Sequence, residues 1–231
     1  RAAFESRYGG GRSIAGEWQA GDRLSNGGER LKLSFGAGVP IQDFDYLDEA
    51  PWPSSPDGIG FSLTLINPHL NPDPRDPSNW RPSAVAGGSP GSLDTISFGT
   101  WAAEFGLPLD DPELDNDLDN LGLFREYAQG GSPEGNIPGE GLVDIEVKEL
   151  LVDRVPAPHL VVSVMRNLAA DDIAFHIERN SNSLVGEWED ATDNFVLFSD
   201  SQLGNGTAIL RYRAPLPTES GHYWRVKFTA K

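Results

Sequence analysis

Four carboxylates within twelve residues are the part of this sequence best suited to chemistry. Asp115, Asp117 and Asp119 alternate, Leu121 follows, and Glu126 closes the stretch. With Asp115 as position 1 these residues take positions 3, 5, 7 and 12, the ligand spacing of an EF-hand-type calcium loop. A hard divalent cation wants six to eight oxygens, so alternate side chains of a tight loop converge on it. Residue 7 lends a backbone carbonyl and the Glu at 12 arrives from the first turn of the exiting helix. Asn120 at position 6 suits the turn, because Asn enters the left-handed region more readily than most residues. Leu118 stands at position 4, where Gly is common, and Leu123 at position 9 cannot ligate, which leaves that place to water or a neighbour such as Asp111. Starting the frame at Asp111 instead puts Gly122 at position 12 and loses the clamp. A solvated acidic linker is the plain alternative. The calcium reading is stronger because crowded carboxylates repel unless a cation joins them, and Glu126 stands before an apolar helical stretch. The expected cofactor is calcium, and the expected ligands are Asp115, Asp117, Asp119, Leu121 and Glu126.

The other reactive patterns are weaker. Gly87-Gly88-Ser89-Pro90-Gly91 matches a hydrolase nucleophile elbow, but Pro90 stands where an oxyanion hole needs a backbone N–H. A plain turn is the better reading of Ser89. His69, His159, His176 and His222 have no paired spacing that indicates a metal triad or a catalytic base. Carboxylate pairs drawn from Asp43, Asp45, Asp48 and Glu49 carry little information in so acidic a chain. Trp52, between Pro51 and Pro53, and Trp80 could form a platform for sugar rings or a peptide. More simply, they plug the open end of a small core. The sequon Asn205-Gly206-Thr207 matters only in a eukaryotic secretory pathway. No enzyme is expected.

The elements that must position these residues are short. Among 231 residues there are 26 Gly and 18 Pro, which favours turns over long helices. In the first 93 residues Leu31, Leu33 and Phe35 alternate with polar neighbours. Residues 41–46 follow after Gly36-Ala37-Gly38, so the spacing predicts a hairpin. Phe61 to Ile66 reads as a third strand, and the prolines at 68, 72, 74 and 77 exclude a central strand or helix beyond it. Short helices are predicted after an N-cap at Thr100 and over 121–129, where Gly130-Gly131 ends the second. From 140 onward six strands are predicted: 142–151, 160–165, 173–178, 194–198, 207–212 and 223–228. Pro156-Ala157-Pro158, Asn167 to Asp172 and Gly204-Asn205-Gly206 would connect them, as in a small antiparallel sandwich.

The charge fits this picture. The chain has 35 acidic and 18 basic residues, net −17. That argues against duplex nucleic acid and against an anionic membrane surface as partners. Residues 104–126 hold eight carboxylates and one Arg, so −7 of the total is local. With no cysteine, disulfides, thiolate metal sites and cysteine nucleophiles are excluded. No apolar run approaches the roughly 20 residues that span a bilayer as a helix, and membrane insertion is not expected. The chain opens on Arg1 with no signal peptide, so a mature piece or fragment is expected.

A resemblance adds to this reading. Residues 24–33 (Leu-Ser-Asn-Gly-Gly-Glu-Arg-Leu-Lys-Leu), 46–53 (Tyr-Leu-Asp-Glu-Ala-Pro-Trp-Pro), 57–63 (Asp-Gly-Ile-Gly-Phe-Ser-Leu), Ser78-Asn79-Trp80-Arg81 and Gly88-Ser89-Pro90-Gly91 resemble the second half of a bacterial lamin tail domain. The resemblance implies a non-catalytic, immunoglobulin-like sandwich of large secreted bacterial proteins. Its earlier strands would lie upstream of Phe4 and Tyr8, so the domain is expected to be incomplete. Residues 98–231 are similar to a C-terminal module of such proteins, in which a Trp-Ala helix, an Asp-rich calcium loop and a second helix lead into a β-sandwich. The loop of that module usually has Gly where Leu118 and Asn120 stand.

The expected architecture is therefore mainly β: an immunoglobulin-like, lamin-tail sandwich over 1–93, short of its N-terminal strands. A helical connector with the EF-hand-like calcium loop follows over 94–139, then a second small antiparallel sandwich over 140–231. The expected function is non-catalytic binding, adhesion or structure, stabilised by calcium, in a secreted or cell-surface protein whose partner is an extracellular protein or glycan. The alternatives are a carbohydrate- or protein-binding site near Trp52 and Trp80, or an accessory region of a secreted hydrolase or spore-coat-kinase-like protein.

Overall fold

The computed structural model describes residues 1–17, 21–135, 141–181, 186–215 and 222–231. The chain is mainly β, 37% strand against 14% helix, and its sheets are antiparallel. After a short helix α1 (Ala2–Tyr8), the hairpin of β1 (Glu29–Phe35) and β2 (Val39–Tyr46) forms as its alternation requires, with Gly36 and Gly38 at positive φ in the turn. A second two-stranded sheet pairs β3 (Leu63–Leu65) with β4 (Trp80–Pro82). The proline-rich loop between them is not helix-free. Pro68 and Pro77 each open a single 3₁₀ turn, where a missing N–H is no loss.

Helix α2 (Phe98–Glu104) and helix α3 (Leu123–Gln129) follow. The cap of α2 is Ser97, not Thr100: the Ser97 hydroxyl accepts from the Thr100 amide at 3.1 Å, and Thr100 lies inside the first turn. Gly130 ends α3 in the left-handed conformation at φ 75°.

The remaining strands are β5 (Val143–Val152), β6 (Val155–Asn167), β7 (Ile173–Asn180), the two-residue β8 (Glu189–Asp190), β9 (Val196–Gln202), β10 (Thr207–Pro215) and β11 (Tyr223–Ala230). They form a four-stranded sheet, β5-β6-β10-β9, and a three-stranded one, β11-β7-β8. The sheets share side-chain clusters: Leu160 and Val162 of β6 and Ala214 of β10 meet Ile177 of β7 with Trp224 and Val226 of β11. That is the arrangement of two packed antiparallel layers.

All six strands expected after residue 140 form, but Pro156-Ala157-Pro158 belongs to β6 and is not a connection. The true turn is Asp153-Arg154, with φ of 51° and 66°, joining Val152 to Val155. Counting from that turn, both prolines fall where the backbone nitrogen points away from β5, and β10 pairs with β6 only from His159 onward. Prolines are tolerated there because no neighbour needs their N–H. The boundary expected at 139–140 lies outside the described residues.

Contacts between the 1–93 region and the two-layered part are polar and specific. Ser54 donates through its amide (2.6 Å) and hydroxyl (2.7 Å) to Asp200, and Asn67 donates to the Asp171 carbonyl at 2.9 Å. At the centre is Arg81. It donates to both Asp171 carboxylate oxygens (2.7 and 3.1 Å), to the Asp94 carboxylate (3.0 Å), and to the carbonyls of Asp94 (2.7 Å) and Pro82 (3.0 Å). The Arg81, Asp94 and Asp171 side chains are only 8%, 9% and 4% exposed. Breaking such a buried pair leaves an uncompensated charge, at about 3–5 kcal/mol. Asp171→Ala is therefore expected to lower the unfolding free energy by ~3–5 kcal/mol in urea titration, whereas removing the exposed Arg30–Asp43 pair leaves the urea midpoint nearly unchanged.

Candidate metal site

The loop before α3 is built by its own side chains. The Asp115 carboxylate accepts from the amides of Asp119 (3.1 Å) and Asn120 (3.0 Å), and the Asp119 carboxylate accepts from the Leu121 amide at 2.7 Å. Leu118 and Asn120 both stand in the left-handed region, at φ 67° and 72°. These are positions 4 and 6 of the frame, where the path must turn sharply. Asn120 accepts that conformation readily, but Leu118 pays for it with backbone strain and, at 84% exposure, receives no burial in return.

Backbone bonds then close the loop at its base. The Leu123 amide donates to the Leu114 carbonyl at 3.0 Å, and the Phe124 amide donates to Pro112 at 2.9 Å. Gly122 is required at this crossing, since a Cβ there would stand 2.9 Å from the Glu113 Cα and 3.1 Å from its carbonyl atoms. The Asn116 side chain donates to the Pro133 carbonyl at 2.7 Å, tying the loop to the chain beyond α3.

This geometry gathers Asp115, Asp117 and Asp119, each offering one oxygen, with those oxygens within 4.8 Å of one another. All three are half-buried, and the group could hold a metal ion. Both Asp117 oxygens are buried and accept no hydrogen bond from the described residues. A carboxylate in that state is costly unless a cation neutralises it. Glu126 lies in the first turn of α3 and is fully buried, outside the group of three. Leu121 follows directly on the cluster, its amide held by Asp119.

Helix α3 anchors the loop in the body of the protein. Leu123, Tyr127 and Ala128 are fully buried against Trp101 and Ala102 of α2 and against Ala170 and Ile173 at the start of β7. The Tyr127 hydroxyl donates to Asp172 beside the Ile96 carbonyl. Burial, and then the bond to Asp172, pushes the phenol well above its ordinary range. Asn167 donates to the Tyr127 carbonyl at 3.0 Å, and Gln129 to the Leu142 carbonyl at 3.2 Å.

The remaining candidates are placed as follows. Ser89 sits in a turn in which Ser92 donates back to it at 3.0 Å, with no strand-to-helix step around it. Trp52 is 6% exposed, its ring centroid 6.0 Å from that of Trp80, whose indole donates to the Pro74 carbonyl at 3.0 Å. The faces of Trp52 are thus occupied within the protein. His176 has partners that spacing did not reveal: its ring meets Asp190 at 2.7 Å through Nδ1 and the Thr229 hydroxyl at 2.9 Å through Nε2. The Thr192 hydroxyl, more than His176, holds the Asp190 carboxyl below its usual range. The three residues come from β7, β8 and β11, so only pairing of the strands brings them together.

Comparison with protein-family models, with curated proteins and with solved structures gives no match to this chain.

Two substitutions test the loop. Leu118→Gly is expected to raise the unfolding free energy by up to ~1 kcal/mol, because it relieves left-handed strain and loses no burial. Gly122→Ala is expected to lower it by roughly 1–3 kcal/mol, because backbone meets backbone there and no side chain can yield. Paired urea titrations of the two variants read both effects.

Proposed function

We propose that residues 115–126 form a calcium site and that the protein is a non-catalytic, calcium-stabilised β module of a secreted or cell-surface protein. The observation that carries this is Asp117, whose two buried oxygens have no donor among the described residues, inside a group of three carboxylates. Hard oxygen donors at this spacing favour calcium over softer transition metals. In the bound state Asp115, Asp117 and Asp119 supply side-chain oxygens, Leu121 its carbonyl, and Glu126 the position-12 carboxylate. The lamin-tail resemblance of residues 1–93, with an extracellular protein or glycan as partner, belongs to the same reading. Because α3 is buried in the body of the protein, neutralising the loop stabilises more than the loop itself.

Calcium is the ligand to test. At a hundredfold excess over Kd it contributes ~2.7 kcal/mol, which for a chain of this size raises the melting temperature by roughly 5–10 °C over the chelator-treated protein. Asp117→Ala is expected to abolish that rise while melting no lower than wild type in chelator, since the substitution removes a buried, unpaired charge. Identical melts with calcium and with chelator would overturn the reading.

A further inference from the structure

The space between the two sheets contains a cation whose hydrogen bonds, among the described residues, go to backbone carbonyls and to no carboxylate. Along β6, Val162 and Val164 pack into the interior, and Arg166 follows on the same face. The Arg166 guanidinium lies 6.0 Å from the ring centroids of both Phe175 of β7 and Phe228 of β11, so it points at the opposite sheet. Its hydrogen bonds are long ones, to the carbonyls of Ala128 (3.3 Å) and Ala170 (3.4 Å). A guanidinium has five N–H donors, and the nearby carboxylate of Asp171 is already engaged by Arg81. Burial lowers the proton affinity of this arginine.

The cation borders a cavity of about 470 Å³ that opens beside Pro51, Pro53 and Trp80. Its walls include Phe175, Phe195, Leu210 and Tyr212, and Lys231 stands at its mouth. The Tyr212 hydroxyl has no hydrogen-bond partner among the described residues, and the Lys231 ammonium donates to the Asp171 carbonyl at 3.0 Å. Asp76 and Asp193 also line the cavity and are exposed at its rim.

We propose that this cavity is a binding site for a small organic monocarboxylate, seated on Arg166 and Tyr212 with its apolar body against Phe175, Phe195 and Leu210. The volume lies within the ordinary range for small-molecule sites, and the mix of apolar walls with a few converging polar groups is typical of them. Charge selects a monoanion. The inner cation attracts a carboxylate, while the rim carboxylates Asp76 and Asp193 disfavour a dianion such as phosphate.

Calorimetric titration of the whole chain with sodium octanoate, sodium 4-fluorobenzoate and inorganic phosphate tests this. The expected result is saturable binding of at least one of the two carboxylates and none of phosphate. Arg166→Met weakens that binding about tenfold or more, since it removes a charged hydrogen-bonding group, and Tyr212→Phe weakens it a few fold. Arg166→Met also melts no lower than wild type, because it exchanges a buried cation held only by long bonds to carbonyls for an apolar chain of similar length. The proposal is overturned if neither carboxylate saturates, if phosphate binds as tightly, or if Arg166→Met and Tyr212→Phe bind like wild type. A clearly lower melting temperature for Arg166→Met would assign the guanidinium to the fold and overturn it as well.

Discussion

The interaction on which the rest of this molecule depends is the hydrogen-bond set of Arg81. All five of its donors are used, on two carboxylates and two carbonyls. A nearly buried guanidinium is tolerable only when satisfied in this way. The acceptors come from three places: β4 itself, the segment leading to α2, and the corner between β6 and β7. One side chain thereby fixes the small β3–β4 sheet, the approach to the helices and the edge of the two-layered part. Small apolar sheets of two strands cannot hold themselves together, so directional bonds do what a shared core would do in a larger domain.

Charge is handled in three ways along this chain. At Arg81 it is buried and paired. In the 115–126 loop carboxylates are crowded together, and two buried oxygens of Asp117 find no donor among the described residues. At Arg166 a cation faces two aromatic rings across the sandwich, and its hydrogen bonds among the described residues go to backbone carbonyls. The first arrangement is complete within the protein. The second and third are not, and incomplete charge in a low-dielectric setting is where a ligand gains most by binding.

Much of the fold was legible. The hairpin at 29–46 and the six strands after 140 follow from alternation and turn residues, because a half-buried strand shows its buried face as a period of two. The frame beginning at Asp115 was legible for the same local reason: the loop that gathers three of its carboxylates is closed by bonds spanning two to twelve residues. What misled was punctuation. Pro156 and Pro158 read as a connection, yet they lie in β6 at positions whose nitrogens no neighbour needs. Ser97 and Thr100 are both good caps by type, and only the hydrogen bond between them decides which one starts the helix. The strand expected over 160–165 stops short of Arg166, and only the longer β6 of the structure, which runs to Asn167, carries that charge onto the face of Val162 and Val164.

By itself, then, the sequence determined the strands and the spacing of a loop that could hold a cation, both set by neighbours within about a dozen residues. The tertiary structure alone decided the partners of Arg81, the meeting of His176 with Asp190 and Thr229, and the cavity around Arg166. The reason is physical. Periodicity records which face of an element is hidden, but Arg81 and Asp171 are 90 residues apart, and nothing local to either residue specifies the partner it will meet.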